Sequence, residues 1–169
     1  MNAGQDRCGI EPASDAAVEM ALEIVRSRPE LEFGGIQCYH GAIQHVRSAE
    51  ERRQLVLDGP VAKAKATMLK LSESGLPCPV ISGGGTGTFP FELEGGVHTE
   101  LQPGSFLFMD ADYGANEDAM FEQSLFVHTT VISADAATGR RVRCPPVARS
   151  GAFFLFPLLL GERGMRKTI

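Results

Sequence analysis

The feature that most restricts how this chain can fold is a short apolar run, Pro79 to Ser82 (PVIS), that passes without a spacer into Gly83-Gly84-Gly85-Thr86-Gly87-Thr88. A run of this kind bounded by turn signals reads as a buried strand. Successive glycines at its end let backbone N–H groups turn toward a common point with no Cβ in the way, and two threonine hydroxyls add donors. Such a turn suits a phosphate, and equally a solvent turn or a tight barrel corner. It is not a P-loop, because no Gly-Lys-Ser/Thr follows. Nor is it a dinucleotide fingerprint, because the spacing and the following acidic residue are wrong.

The surrounding segments alternate helix and strand. Ser14 stands as an N-cap, and Ala17, Met20, Ala21 and Ile24 recur at helical spacing, which predicts a helix over Asp15 to Ser27 that stops before Pro29. Leu31 to Tyr39 reads as a buried strand that delivers Tyr39, His40 and Gly41 at its end. A second helical region starts after Ser48 with Glu51 at the capping-box position. It is bent or interrupted at Gly59 and Pro60, resumes through Val61, Ala64, Met68 and Leu71, and stops near Gly75. This order is the pattern of an α/β fold with a parallel sheet. Phe106 to Met109 (FLFM) reads as a further buried strand, and Ser124 to Ser133 as an alternating antiparallel one. From Ala134 the chain loses any period, with crowded Arg residues, a Pro pair, a Phe-Leu run and a basic end.

With 169 residues the chain has the size of one domain and can bury roughly 70% of its unfolded surface. A net charge of −5 argues against a partner recognised by phosphate neutralisation, so no nucleic acid is expected. Cys8, Cys38, Cys78 and Cys144 match no zinc or redox spacing and read as buried free thiols of a reducing cytosol. No apolar h-region opens the sequence, and its longest apolar run, residues 151–161, is about half of what a spanning helix needs. The expectation is a cytoplasmic protein with no membrane partner.

Two strand ends, GIQCYHG and FMDADYG, present polar groups to the same edge as the glycine turn, the edge where βα architectures bind ligands. Four blocks carry a resemblance: RCGIEP at Arg7 to Pro12, QCYHGAIQH at Gln37 to His45, VISGGGTGT at Val80 to Thr88, and TELQPGSFLFMDADY at Thr99 to Tyr113. In this order they resemble the D-threonine aldolase and D-serine dehydratase family. Its members are pyridoxal-phosphate enzymes on the alanine-racemase type of TIM barrel (fold type III), and the resemblance covers residues 1–133. It implies an α/β fold in which residues 1–120 are the C-terminal portion of a cofactor-binding TIM (β/α) barrel. Residues 121–133 would then start an antiparallel β-domain, and residues 134–169 form an atypical tail, frame-shifted or disordered.

The resemblance also implies roles. Gly84, Gly85, Thr86 and Thr88 would hold the phosphate of pyridoxal 5'-phosphate, and Tyr39 would line its pocket. His40 would stand beside Tyr39, in direct contact or behind it. Arg7 would approach the phenolic oxygen side, where a fixed cation stabilises negative charge. Gln102 occupies the place of a racemase arginine that faces the pyridine nitrogen, and a neutral amide cannot play that electronic part. Met109 and Asp110 would close the phosphate side, although Asp110 equally suits a turn; Asp112 and Tyr113 read as structural.

The cofactor supplies an electron sink beside the substrate's α-carbon, which opens either Cα–Cβ cleavage or loss of the β-hydroxyl. In this family a divalent metal polarises that hydroxyl. Two parts of the family pattern have no counterpart here: the Schiff-base lysine, which lies upstream of the Arg7 block, and the metal ligands, late in the β-domain. Lys63, Lys65 and Lys70 read as outer-helix residues and Lys167 as part of the basic end. No catalytic residue and no metal ligand is therefore assigned. The expectation is a truncated lyase acting on small D-3-hydroxy amino acids and inactive alone, with full-length relatives that are homodimers. The alternatives are a non-catalytic remnant that at most binds a phosphate or the cofactor, or a racemase, which Gln102 disfavours.

Overall fold

Ser14 accepts a hydrogen bond from the Ala17 N–H and opens helix α1 (Asp15–Arg26) where the sequence places it. The computed structural model describes residues 1–126, 128 and 130–143. They belong to two compact units, Met1–Phe126 and one that begins at Val127. The buried face of α1 is turned by about one residue from the expected stripe. Ala21 is its centre, flanked by Val18, Leu22 and Val25 against Leu71 and Leu76, while Met20 is 57% exposed.

Ser48 accepts from the Glu51 N–H and opens α2 (Ala49–Val56). The chain does not leave the helical path at Pro60. It widens into a π-helical turn (Leu57–Val61), because proline offers no N–H to the ladder, and continues as α3 (Ala62–Glu73). Gly75, at φ +74, ends the run, and the Leu76 N–H returns to the Leu71 carbonyl at 2.9 Å.

Strands β1 (Gly35–Cys38), β2 (Val80–Gly83) and β3 (Glu100–Leu101) form a parallel sheet in that order. Cys38 stands opposite Gly83, and Gly83 opposite Leu101, so the three strands end side by side. Helix α4 (Phe89–Gly95) follows the glycine turn. One apolar cluster, Ala3, Cys38, Ala64 and Ile81, fastens the sheet to α3. Another, Ile43, Val56 and Val61 with Phe91, seals the region below the turn. Among the described residues the α/β class and the parallel sheet are present, and a closed barrel is not.

Several expected elements come out differently. The strand expected over Leu31 to Tyr39 is confined to Gly35–Cys38. FLFM is not a strand. Pro103 and Gly104 end β3 after two residues, and the Ser105 carbonyl then accepts from the N–H groups of Phe108 and Met109. This draws the chain into a 3-10 turn (Ser105–Leu107) that leaves Leu107 and Phe108 66% and 63% exposed. Among the described residues of Ser124 to Ser133 only the end is strand: β4 (Val131–Ala134) pairs antiparallel with β5 (Arg141–Arg143). Asp135 organises their connection, accepting from the Ala137 N–H at 2.9 Å and the Thr138 hydroxyl at 2.7 Å. Residues 134–143 of the expected tail thus take part in a hairpin; residues 144–169, with Cys144 and Lys167, lie outside the described residues.

The thiols are free at Cys8, Cys38 and Cys78, but only Cys38 is buried and Cys8 is exposed on the N-terminal segment. Among the described residues no helix is long and apolar enough to cross a membrane.

Candidate functional site

The turn after β2 is shaped from behind by side chains that the hydrophobic pattern does not reveal. Gln44, in the 3-10 turn Ala42–His45 that follows β1, is 1% exposed. Its Oε1 accepts the Gly87 N–H at 3.0 Å, and its Nε2 donates to Thr88 Oγ1 at 2.8 Å and to the His40 carbonyl at 3.2 Å. Arg52, on α2 and also 1% exposed, donates through Nε to the Gly87 carbonyl at 2.6 Å and through its other nitrogens to the Val46 carbonyl and Asp118. Asn116 donates to the Gln44 carbonyl at 3.0 Å. The glycines answer to this packing: a Cβ would lie 2.5 Å from Gln44 Oε1 at Gly85 and 2.2 Å from the Gln44 carbonyl oxygen at Gly87.

Thr88 belongs to this wall. Its hydroxyl accepts from the Gly85 N–H and Gln44 and donates to Glu92 at 3.0 Å, so all its hydrogen-bonding capacity is committed inside the protein and none is left for a bound group. Thr86 differs, since its hydroxyl accepts from the Phe106 N–H at 3.1 Å and keeps a proton to donate. Among the described residues the N–H groups of Gly84 and Thr86 have no hydrogen-bond partner, and these are the donors the turn offers. Glu92, on α4, is 2% exposed, and burial pushes its carboxyl up to about 7.

In front of the turn the edge is more open. The N-terminal segment is tied over the end of β1: the Met1 ammonium donates to the Gln37 carbonyl at 2.8 Å, and Gln5 Oε1 accepts from the Gly41 N–H at 2.8 Å. This sets the exposed Arg7 near Tyr39, whose phenol is pushed up by burial and pulled back by the Arg7 charge. Gln102 is exposed, its N–H shared by the Gly83 and Gly84 carbonyls and its side-chain amide paired reciprocally with that of Gln37 at 2.7 and 2.9 Å. Met109 is buried at φ +41 and shares a small cavity of about 20 Å³ with Thr86, Gly87 and Tyr113. Asp110 makes a turn, Oδ1 accepting from the N–H groups of Asp112 and Tyr113 at 2.9 Å each.

The ring of His45 stacks on Tyr113 at 4.3 Å between centroids, and its Nδ1 lies 3.2 Å from Asp112, unaligned for a hydrogen bond. His40 lines an open cleft of about 640 Å³ together with Gly4, Asp58 and Lys63. Burial and the Lys63 charge lower its proton affinity. Lys63, Lys65 and Lys70 all lie on α3, as expected of outer-helix residues; Lys70 is paired with Asp15 at 2.7 Å, Lys65 is exposed, and Lys63 is the one that lines the cleft.

The chain is 46% identical to D-threonine aldolase from Arthrobacter over 172 aligned positions, which take in 99% of the chain and 44% of that enzyme. The chain is a homologue of the D-threonine aldolases. It spans less than half the length of the curated relatives it matches. The alignment runs past Ser133, where the sequence alone suggests that the resemblance ends. A 3-hydroxy-D-aspartate aldolase from Paracoccus denitrificans is 41% identical, over 79% of the chain and 36% of that protein. No family model matches. Among solved structures, D-threonine aldolase from Filomicrobium marinum superposes with a TM-score of 0.69 at 40% identity, covering 79% of the chain and 36% of that structure. An alanine-racemase-like protein from Idiomarina loihiensis shares the fold, with a TM-score of 0.68 at 17% identity over 85% of this chain and 37% of its own.

Of the residues that build this site, sequence reasoning missed Gln44, Arg52, Glu92 and Asn116. A signal for Arg52 exists: it stands four residues before Val56 and eight before Pro60, on the stripe that α2 and the π turn bury.

Proposed function

We propose that this chain provides the phosphate-binding part of a pyridoxal-phosphate-dependent lyase acting on small D-3-hydroxy amino acids, of the aldolase or dehydratase type. The observation that carries this reading is the glycine turn. It stands where three parallel strands end together, is held in shape by buried Gln44 and Arg52, and keeps the N–H groups of Gly84 and Thr86 uncommitted. A Cβ at Gly85 or Gly87 would collide with Gln44, so the cradle exists only with glycine there. These residues fit a phosphate ester. They differ from the expected set in two members, because the Gly85 N–H is bonded to Thr88, which itself supports the turn, and Thr86 is the threonine with a donor to offer.

Pyridoxal phosphate, when bound, supplies an electron sink beside the substrate's α-carbon. The chain's own residues would orient and charge that site. Arg7 would set a fixed positive charge beside the Tyr39 phenol and stabilise negative charge developing near it. Gln102, a neutral amide anchored by Gln37, would orient through hydrogen bonds without lending a full charge. His45, with its ring against Tyr113 and beside Asp112, would help shape the wall of the site. A divalent metal that polarises the β-hydroxyl needs a converging ligand set, and among the described residues no three His, Cys, Asp or Glu side chains form one. No step is assigned to a metal here.

Titration with pyridoxal phosphate and with pyridoxal tests the reading. The expected result is that the phosphate ester raises the melting temperature, that inorganic phosphate competes, and that pyridoxal has little effect. Equal stabilisation by both would contradict it. Aldehyde released from D-threonine marks the aldolase type, and ammonia from D-serine the dehydratase type.

A further inference from the structure

We propose that Glu92 is the proton-carrying residue of the glycine turn: its carboxyl group, packed behind Gly84, must be neutral for the turn to accept an anion, so that anion binding takes up a proton. This rests on the reading of the turn as a phosphate site. Glu92 is 2% exposed, and its Oε2 is buried without a hydrogen-bond partner among the described residues. A Cβ on Gly84 would lie 3.2 Å from that same oxygen, so Oε2 lies directly against the turn.

Counting protons places the acid hydrogen. Thr88 Oγ1 accepts from the Gly85 N–H at 3.2 Å and from Gln44 Nε2 at 2.8 Å, which fills both acceptor sites of a hydroxyl. Its one proton therefore goes to Glu92 Oε1, at 3.0 Å. Oε1 is an acceptor in either state of the acid, and the proton of the neutral carboxyl belongs on Oε2, the oxygen that faces Gly84.

Among the described residues no cation is ion-paired to Glu92: the Met1 ammonium, which acts on Cys38, donates to the Gln37 carbonyl, and the exposed Arg7 acts on Tyr39. From β1 and its end come Cys38 and Tyr39, which lose protons less readily chiefly because of burial and, to a lesser degree, because of Glu92. From the segment before β3 comes His98, beside Gly83, whose proton affinity burial lowers. On α2, Arg52 is committed to two carbonyls and Asp118, and Arg53 is tied to Glu94 on α4. On the π turn, Asp58 accepts from Gln54, and on α3 Lys63 faces the cleft beside His40. An ionised Glu92 would thus repel a dianion across the turn's backbone, in a region that excludes water. Protonation removes that repulsion, and burial already holds the acid near the midpoint of the change.

The test uses sulfate, a dianion that does not titrate at neutral pH, together with pyridoxal phosphate, on the 169-residue chain. Binding is read by calorimetry and melting temperature between pH 6 and pH 8.5. The affinity for sulfate should fall about thirtyfold over this range in the wild type and stay level in Glu92→Gln. Calorimetry in buffers of different ionisation heat should show proton uptake near pH 7.5 in the wild type and none in the variant. Thr88→Val, which removes the hydrogen bond that favours the ionised acid, should move the loss of binding to higher pH and decides the matter should Glu92→Gln not fold. A pH profile that is identical in wild type and Glu92→Gln, without proton uptake, overturns the role of Glu92 and leaves the phosphate site standing. No binding of either anion at any pH overturns both.

Discussion

The two sides of the glycine turn are built on opposite principles. Behind it, Gln44, Arg52, Thr88 and Glu92 are each at most 2% exposed, and apart from Glu92 Oε2 their hydrogen-bonding groups are engaged by protein. In front of it, Arg7 and Gln102 are exposed and Tyr39 is half-buried. Buried polar groups are costly unless paired, so the wall fixes the turn's shape through interactions that cannot be removed one at a time. The open side pays little for its polarity and can exchange water for a ligand. Positions with the same glycine-and-threonine chemistry in the sequence therefore divide into scaffold and contact.

That contrast can be broken most severely at Gly87. Gly87→Ala forces a Cβ against the Gln44 carbonyl and should cost about 3 kcal/mol or more, with loss of pyridoxal-phosphate binding, both measurable by denaturant titration and calorimetry. Arg52→Ala leaves the Gly87 and Val46 carbonyls without their charged donor and should destabilise by about 2–3 kcal/mol. Glu92→Gln sharpens the contrast through pH. The acid's raised value means that its contribution is fully present below about 4.5 and is lost as pH rises through about 7. The variant should therefore match the wild type near pH 4.5 and exceed it by about 3 kcal/mol at pH 8.5, seen as a flattened dependence of melting temperature on pH. Gln102→Ala, on the open side, should change stability by less than about 1 kcal/mol while weakening cofactor binding.

Much of this architecture is legible in the residues. Ser14 and Ser48 sit where they cap helices, Gly75 where a helix must end, and PVIS with its glycines where a strand gives way to a turn. What fails is instructive. FLFM has strand composition, but the Ser105 carbonyl gathers two N–H groups after Pro103 and Gly104, and local turn chemistry wins over hydrophobicity. The Met20 stripe fails because a period of apolar residues fixes a face only to within a residue or so, and packing against Leu71 and Leu76 selects the neighbouring one. Gln44 and Glu92 escape notice because a hydrophobic pattern marks only apolar positions as buried. Their partners, Thr88 and Gly87, come from a segment more than forty residues away from Gln44.

The most direct measurement of the central claim is an amide-resolved NMR titration of the labelled chain with pyridoxal phosphate and with inorganic phosphate. Saturable shifts are expected at the N–H groups of Gly84 and Thr86 with both additions, with small changes in the cleft around His40 and Lys63. Shifts concentrated in that cleft, with Gly84 and Thr86 unmoved, would contradict it.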